Sequence, residues 1–296
     1  MHPLIAAIRE HARQHPGKAA LRWRCNDYPY AALEAMIDTR ARALQLKGIR
    51  AGDVVGFDAA PCLDAVVDTA ALWALGASAT PITTAASGTL AGNAIRSGAA
   101  GFMYPGGDYV RTSVPANPPA SSSVKQTNIA ALVLPSDPTR TAGSATWLDE
   151  EKLQRFVLRA EKRFTLSART VLGLSTSEQH HSLLDVWAPL AAGGTVDLLT
   201  DHGSLQCASL IQHFRETEAD LVVADPAFFR RAAVREAVFP QFRDVLVTVY
   251  PDSPTRTAMA DAFPCAIFHQ TDILAGDGTM IDYCPAEFAR ELPQEL

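Results

Sequence analysis

At 296 residues, 48% of them hydrophobic, the chain is long enough to bury a large core as one big domain or two lobes. Its 32 acidic residues outnumber 26 basic ones, for a net charge of −6, and no Lys/Arg cluster breaks that balance, which excludes an electrostatic grip on nucleic acid or anionic lipid. No apolar run approaches the roughly 18 residues of a membrane span, and the N-terminal stretch turns charged by Arg9 and Glu10, so neither a span nor a secretory leader is read and the expected location is the cytoplasm.

Helical and strand signals alternate from the start. Leu4, Ile5, Ile8 and Ala12 recur at helical spacing, as do Leu33, Ile37, Ala41 and Leu44, the second set ending at Gly48 in the place of a C-cap. Val54 to Phe57 reads as a short strand, Cys62 to Leu75 as an Ala-rich helix stopped by Gly76, Ser78 to Ile82 and Gly101 to Tyr104 as strands, and Thr89 to Arg96 as a helix between them. The prolines, turn residues and serine run between Pro105 and Asn128 mark a long connection. Beyond it, Ala130 to Leu134 is a strand, Asp149 is placed to cap a helix with the stripe Leu153, Phe156, Val157, Ala160 and Phe164, and Thr170 to Leu174 is a strand. A helix over His181 to Ala192 follows, then strands at Val196 to Leu199, Asp220 to Val223, Val245 to Val249 and Ala266 to Phe268. Apolar strands separated by helices predict an α/β fold: two similar lobes of mostly parallel sheet flanked by helices, residues 1–118 and 129–296, joined by a linker at 119–128.

The five cysteines, Cys25, Cys62, Cys207, Cys265 and Cys284, are widely spaced with no CxxC pair, and are read as reduced, buried thiols. His180 and His181 are adjacent, lack the i, i+4 spacing of a helical metal pair and point in different directions. Gly276-Asp277-Gly278 reads as a turn. No GxGxxG follows an early strand and no GxSxG elbow occurs.

Parallel sheets bind ligands at the carboxyl ends of their strands, which directs the search to the segments that follow them. The polar run Pro135 to Thr146 leaves one strand. Phe268-His269-Gln270-Thr271-Asp272 leaves another, and Gln179-His180-His181-Ser182 enters the helix that ends near Pro189.

Several blocks, in order, carry a resemblance. Pro29-Tyr30-Ala31-Ala32-Leu33, Arg42-Ala43-Leu44 and Gly48 to Val55 resemble the opening of adenylate-forming enzymes, the superfamily of acyl-CoA synthetases, nonribosomal peptide synthetase adenylation domains and luciferases. Ala71 to Ala77 with Pro81, Pro189 to Val196, and Ala219-Asp220-Leu221 with Pro226 resemble later blocks of the same superfamily. The resemblance implies the large N-terminal domain of such an enzyme, without its barrel and C-terminal domain. It also implies ATP and Mg²⁺ as cofactors if the site works, and a small carboxylic acid or a partner protein as the binding partner.

The family's phosphate loop reads approximately T-S-G-[ST]-T-G-x-P-K-G. Its glycines let backbone N–H groups close on the phosphates. In register, Ser136, Thr139 and Thr141 fall on polar loop positions, Asp137 and Arg140 replace two glycines, and Gly143 replaces the lysine. A carboxylate beside a polyphosphate is repulsive, at a cost on the order of several kcal/mol if desolvated and much less if solvated. Losing two glycines removes the φ > 0 freedom of the turn. By the same resemblance Thr271 matches the threonine on the α-phosphate, Asp272 stands for the Mg²⁺-binding glutamate, and His180 and Asp185 border the carboxylate pocket. Where relatives carry a Gly-Gly-Glu-like turn, this chain has Tyr250-Pro251-Asp252-Ser253-Pro254, and proline deletes an N–H donor. The residues after Asp272 include no lysine. The expectation is a motif-degenerate AMP-dependent ligase relative that does not adenylate alone and binds an acid or a partner, with a possible homo-oligomeric state. The alternative is the N-terminal part of a split ligase completed by another chain.

Overall fold

A computed structural model describes residues 2–24, 26–58, 62–82, 101–104, 108–111, 129–133, 146–173, 186–198, 207–224, 229, 237–247, 251–271 and 280–290. Helix α1 (Pro3–Gln14) lays Leu4, Ile5, Ile8 and Ala12 into the core, the face its spacing predicts. A hairpin absent from the sequence expectation follows, β1 (Ala19–Trp23) and β2 (Asn26–Pro29), joined through Arg24 at φ 50. Helix α2 (Tyr30–Leu46) ends as its glycine predicts: Gly48 adopts φ 90, and the Ile49 amide donates to the Leu44 carbonyl at 3.2 Å, closing the last turn. Gly76, at φ 74, ends α3 (Leu63–Ala74) in the same way, with the Ala77 amide on the Leu72 carbonyl at 2.9 Å.

Around these lie β3 (Val54–Asp58), β4 (Ser78–Ile82), β5 (Gly101–Tyr104), β6 (Asp108–Arg111), β7 (Ile129–Val133) and β8 (Thr146–Asp149). They form a 6-stranded sheet in the order β6-β5-β3-β4-β7-β8. Helix α4 (Glu150–Phe164), β9 (Thr170–Gly173), α5 (Ala188–Ala192), β10 (Thr195–Leu198), α6 (Cys207–Glu216) and β11 (Leu221–Ala224) continue the alternation. The chain then forms β12 (Asp244–Val247), α7 (Ser253–Ala262), β13 (Ile267–Thr271), β14 (Met280–Tyr283) and α8 (Pro285–Ala289). The second sheet is 8-stranded, in the order β14-β13-β12-β11-β9-β10-β1-β2. In both sheets the internal pairings are parallel and the outermost strand at each end is antiparallel. The fold is the expected α/β arrangement of two mostly parallel sheets flanked by helices.

The pairing crosses the division read at 119–128. Strands β1 and β2, early in the chain, join the 8-stranded sheet beside β10, while β7 and β8, which come after it, complete the 6-stranded sheet beside β4. Residues 119–128 and the helix expected at 89–96 lie outside the described residues. The long connection expected from 105 begins too early, because Asp108–Arg111 pairs antiparallel with β5. Side chain packing explains this strand: Tyr109 lies over Gly101, where any Cβ would meet its ring at 2.3 Å.

Strict alternation in the 8-stranded sheet splits the core in two. Val171, Leu221, Val223 and Leu246 point to the layer of α1–α3 and the 6-stranded sheet. Leu172, Val222, Val245, Val247 and Phe268 point to the other, phenylalanine-rich layer under α6, α7 and α8. Not all the thiols are buried as expected: Cys265 and Cys284 are exposed. One lies in the turn after α7 and the other precedes the first turn of α8, where its amide donates to Glu287 at 3.0 Å.

Candidate functional site

The parallel register aligns Gly173 of β9 with Val223 of β11, Val223 with Leu246 of β12, and Leu246 with His269 of β13. These strands therefore end along one edge. At about 4.8 Å per strand, the exits of β9 and β13 stand roughly 14 Å apart. The segment 174–185, with His180 and Asp185, leaves this edge from β9, and 272–279, with Asp272, leaves it from β13. Ser136, Thr139 and Thr141 leave the other sheet from β7. His180, Asp185, Asp272, Ser136, Thr139 and Thr141 themselves lie outside the described residues.

Two placements differ from the sequence expectation. Strand β13 does not stop at Phe268 but runs on to Thr271, paired with Met280 of β14, so Thr271 is the last residue of a strand rather than part of a loop. The polar run 134–145 does not pass directly from strand to helix. It connects β7 to the antiparallel β8, with Val133 opposite Thr146 at its neck, and α4 starts only at Glu150. Both differences come with an antiparallel edge strand, β14 beside β13 and β8 beside β7, and such short strands carry little periodic signal.

Beyond the exit of β12, the described backbone is bound to its own chain. The Asp252 side chain caps α7, accepting from the Thr255 amide at 3.0 Å. The buried Arg256 donates through Nη1 to the Pro251 carbonyl at 3.1 Å. Residues 251–254 thus form an aspartate-capped helix start with a proline in its first turn. After the exit of β9, Trp187 and the short α5 are buried, Trp187 lying 4.5 Å from Trp73. Gly193 (φ 87) and Gly194 then let the chain turn tightly into β10.

Among the described residues, a dense polar constellation sits elsewhere, towards the amino ends of the strands. His269, buried on β13, lies between two carboxylates: Nε2 is 2.8 Å from Asp244 Oδ1 and Nδ1 is 2.8 Å from Asp282 Oδ1. Arg169 donates through Nη1 to Asp244 Oδ2 at 2.6 Å and through Nε to Asp220 Oδ1 at 2.7 Å. Arg163 on α4 pairs with Asp282. The edge of the Phe164 ring packs on the imidazole at 5.0 Å. Burial pushes the Asp244 carboxyl up, but hydrogen bonds from His269 and Arg169 outweigh it and hold the group below the usual carboxylate range. Asp282 is likewise lowered, its slight burial overcome by His269 and Arg163. A second pair joins β10 to α6: Asp197, buried, accepts from Thr217 Oγ1 at 2.7 Å and lies 3.1 Å from His213 Nε2. That contact raises the His213 imidazole above its ordinary value against the opposing effect of burial. Sequence reasoning named His269 only as part of the segment Phe268 to Asp272. Its partners come from three other elements, β12, β14 and α4, and no linear spacing connects them.

Among the described residues, no group of three or more His, Cys, Asp or Glu could hold a metal ion, and no helix is long and apolar enough to cross a membrane. The architecture is that of the N-terminal region of an adenylate-forming enzyme. The sequence profile of the AMP-binding enzyme family matches residues 8–161, over half of the 296 residues, and the chain belongs to that family. No curated protein matches it at the sequence level. Among solved structures, the Klebsiella oxytoca NpsA N-terminal subdomain in complex with 3-hydroxyanthranilyl-AMSN superposes with a TM-score of 0.74 at 13% identity, over 97% of this chain and 77% of that one. IdnL1 superposes at 0.72 and 19% identity, covering 95% of this chain and 62% of that one. The AMPPNP-bound form of the nonribosomal peptide synthetase FmoA3 superposes at 0.71 and 16% identity, covering 90% of this chain but only 31% of that one. Identities this low establish a shared fold and no more.

Proposed function

We propose that this chain is an acid-binding member of the AMP-binding enzyme family that does not form an acyl-adenylate by itself, and that it works in the cytoplasm as part of a biosynthetic pathway. The observation that carries this reading is the composition of 134–145. In the connection between β7 and β8, where the family's phosphate loop falls, Asp137 and Arg140 stand on glycine positions and Gly143 on the lysine position. An anionic side chain there opposes a polyphosphate, and the missing glycines remove the backbone freedom by which amides turn onto it. The self-capped start of α7 argues the same way, because the Pro251 carbonyl and the Asp252 carboxylate are already engaged.

The acid pocket is assigned to 174–185, with His180 and Asp185 as its polar walls, at the exit of β9. Ser136, Thr139, Thr141, Thr271 and Asp272 are the remnant of the nucleotide site, and Asp272 is the residue that would ligate Mg²⁺ if ATP were held. Bound Mg-ATP would supply the activating phosphate chemistry, and these residues would only orient it. The aryl acid class is suggested by NpsA, solved with 3-hydroxyanthranilyl-AMSN, and a carrier-protein partner by the artificially fused NpsA-ThdA adenylation-PCP di-domain.

Thermal shift tests the reading. A ligand present at about 100 times its Kd adds about 2.7 kcal/mol of stability. Aryl or acyl acids should raise the melting temperature and Mg-ATP should not. A Mg-ATP shift of equal size would overturn the claim about the loop, and no shift with any acid would overturn the acid pocket and favour a partner-binding role.

A further inference from the structure

Folding gathers on one helix face cations that the sequence spaces apart. Along α4, Arg155, Leu158, Arg159 and Lys162 recur at i, i+3, i+4 and i+7, the spacing of a single face. All four are exposed, Leu158 at 62%, while Val157, Ala160 and Phe164 on the opposite face are buried. In a chain of net charge −6, three cations thus surround a leucine that the core does not use.

The neighbouring carboxylate does not neutralise this face. Glu161 is turned to Ser167, accepting from its amide at 3.0 Å and from its hydroxyl at 2.7 Å. Among the described residues, neither Arg159 nor Lys162 has a carboxylate partner. The helix dipole favours cations in the last turn, which accounts for Lys162 and Arg163 but not for Arg155 and Arg159 before it. Nor does it account for an exposed leucine between them. The face is also held in place: Arg163 is tied to Asp282 of β14, and Lys18 donates to the Ser167 carbonyl at 2.7 Å just beyond the helix.

We infer that the exposed face of α4 docks a partner protein through an acidic helix, whose carboxylates meet Arg155, Arg159 and Lys162 and whose apolar residue meets Leu158. Charge and shape select this occupant. From Arg155 to Lys162 the stripe runs about 10 Å, two turns, along which a second helix can lie. Three cations would neutralise only about three phosphates, and the acidic remainder of the chain repels a polyanion at long range, which disfavours nucleic acid. A helix that lies on a membrane needs a free apolar stripe, and that of α4 is already buried in the core. Complementary charge of this kind sets partner choice and register, with an affinity that salt weakens. The surface stands independently of what binds at the strand exits.

The test titrates the full chain into a fluorescein-labelled helical peptide with glutamates at i, i+4 and i+7 and a leucine between them, read by fluorescence anisotropy. The peptide should bind, and raising salt from about 50 to about 200 mM should weaken it on the order of tenfold. Arg159→Glu together with Lys162→Glu should weaken it on the order of tenfold or more at low salt. Leu158→Ala should weaken it about threefold and leave the salt dependence as it was. These positions are exposed, so the melting temperatures of the variants should stay level with that of the unaltered chain. The same peptide with glutamine in place of glutamate should not bind. A glutamate peptide that fails to bind at low salt, or that binds the charge-reversed variant equally well, overturns the proposal. Two other outcomes overturn it as well: tighter retention on phosphatidylserine-containing vesicles than on the peptide, which makes the partner a lipid, and self-association in sedimentation that the charge-reversed variant loses, which makes it a second copy.

Discussion

A methyl group added at Gly194 would sit 2.2 Å from the Leu166 carbonyl oxygen, a backbone atom with no freedom to move aside, whereas one at Gly17 would meet nothing within 4 Å. Gly194→Ala should therefore cost about 1–3 kcal/mol and Gly17→Ala less than about 0.5, read from urea unfolding midpoints. Comparable losses for the two would contradict the packing described for the turn into β10. Arg169 is a second sensitive point, since its removal leaves Asp220 and Asp244 facing each other across partly buried ground. Arg169→Ala should cost about 3 kcal/mol, less than a fully buried pair would, and a value under about 1 would show that solvent already screens these charges. For His213 the sign follows from its raised imidazole, lifted by the hydrogen bond with Asp197 against burial. Its contribution is fully present below the unfolded value of 6.5 and is lost as pH rises through the higher folded value. Asp197→Asn should flatten that limb of the stability profile, and an unchanged slope would show that the pair does not couple to folding.

Among the elements, the helices with capping glycines were the most legible. Gly48 and Gly76 end α2 and α3 with positive φ as glycines just past a helix predict, the 3.6-residue stripes of α1 and α2 bury the residues their spacing selects, and Val157, Ala160 and Phe164 of α4 are buried as well. The strands missed by sequence reading, β1, β2, β6, β8 and β14, are four or five residues long and lie at or next to a sheet edge. The extension of β13 to Thr271 was hidden because His269 and Gln270 interrupt its apolar run, and the carboxylates that hold His269 lie on two other strands. Helix α8 is too short to persist alone. It is anchored by Phe288, fully buried and stacked on Phe268 at 4.2 Å with 9° between the rings. Phe288→Ala should cost about 3–5 kcal/mol in urea unfolding, and a loss below about 1 would mean that α8 is not part of the cooperative core.

For the whole molecule, the family resemblance was legible because its blocks arrive in order, and membership now rests on a profile match over residues 8–161 together with a shared fold. The tertiary exchange of strands between the sheets was not legible, since no local pattern tells β1 to cross to β10 or β7 to return to β4. The candidate site was legible only as segments, and the structure gives their exits at the carboxyl ends of β7, β9 and β13. ATP–pyrophosphate exchange with pooled carboxylic acids, run on this chain and on a variant carrying Asp137→Gly, Arg140→Gly and Gly143→Lys together, tests the central claim most directly. The account predicts no exchange by the unaltered chain, and a gain of Mg-ATP binding in the variant if the loop alone was at fault. Exchange above background by the unaltered chain would contradict it.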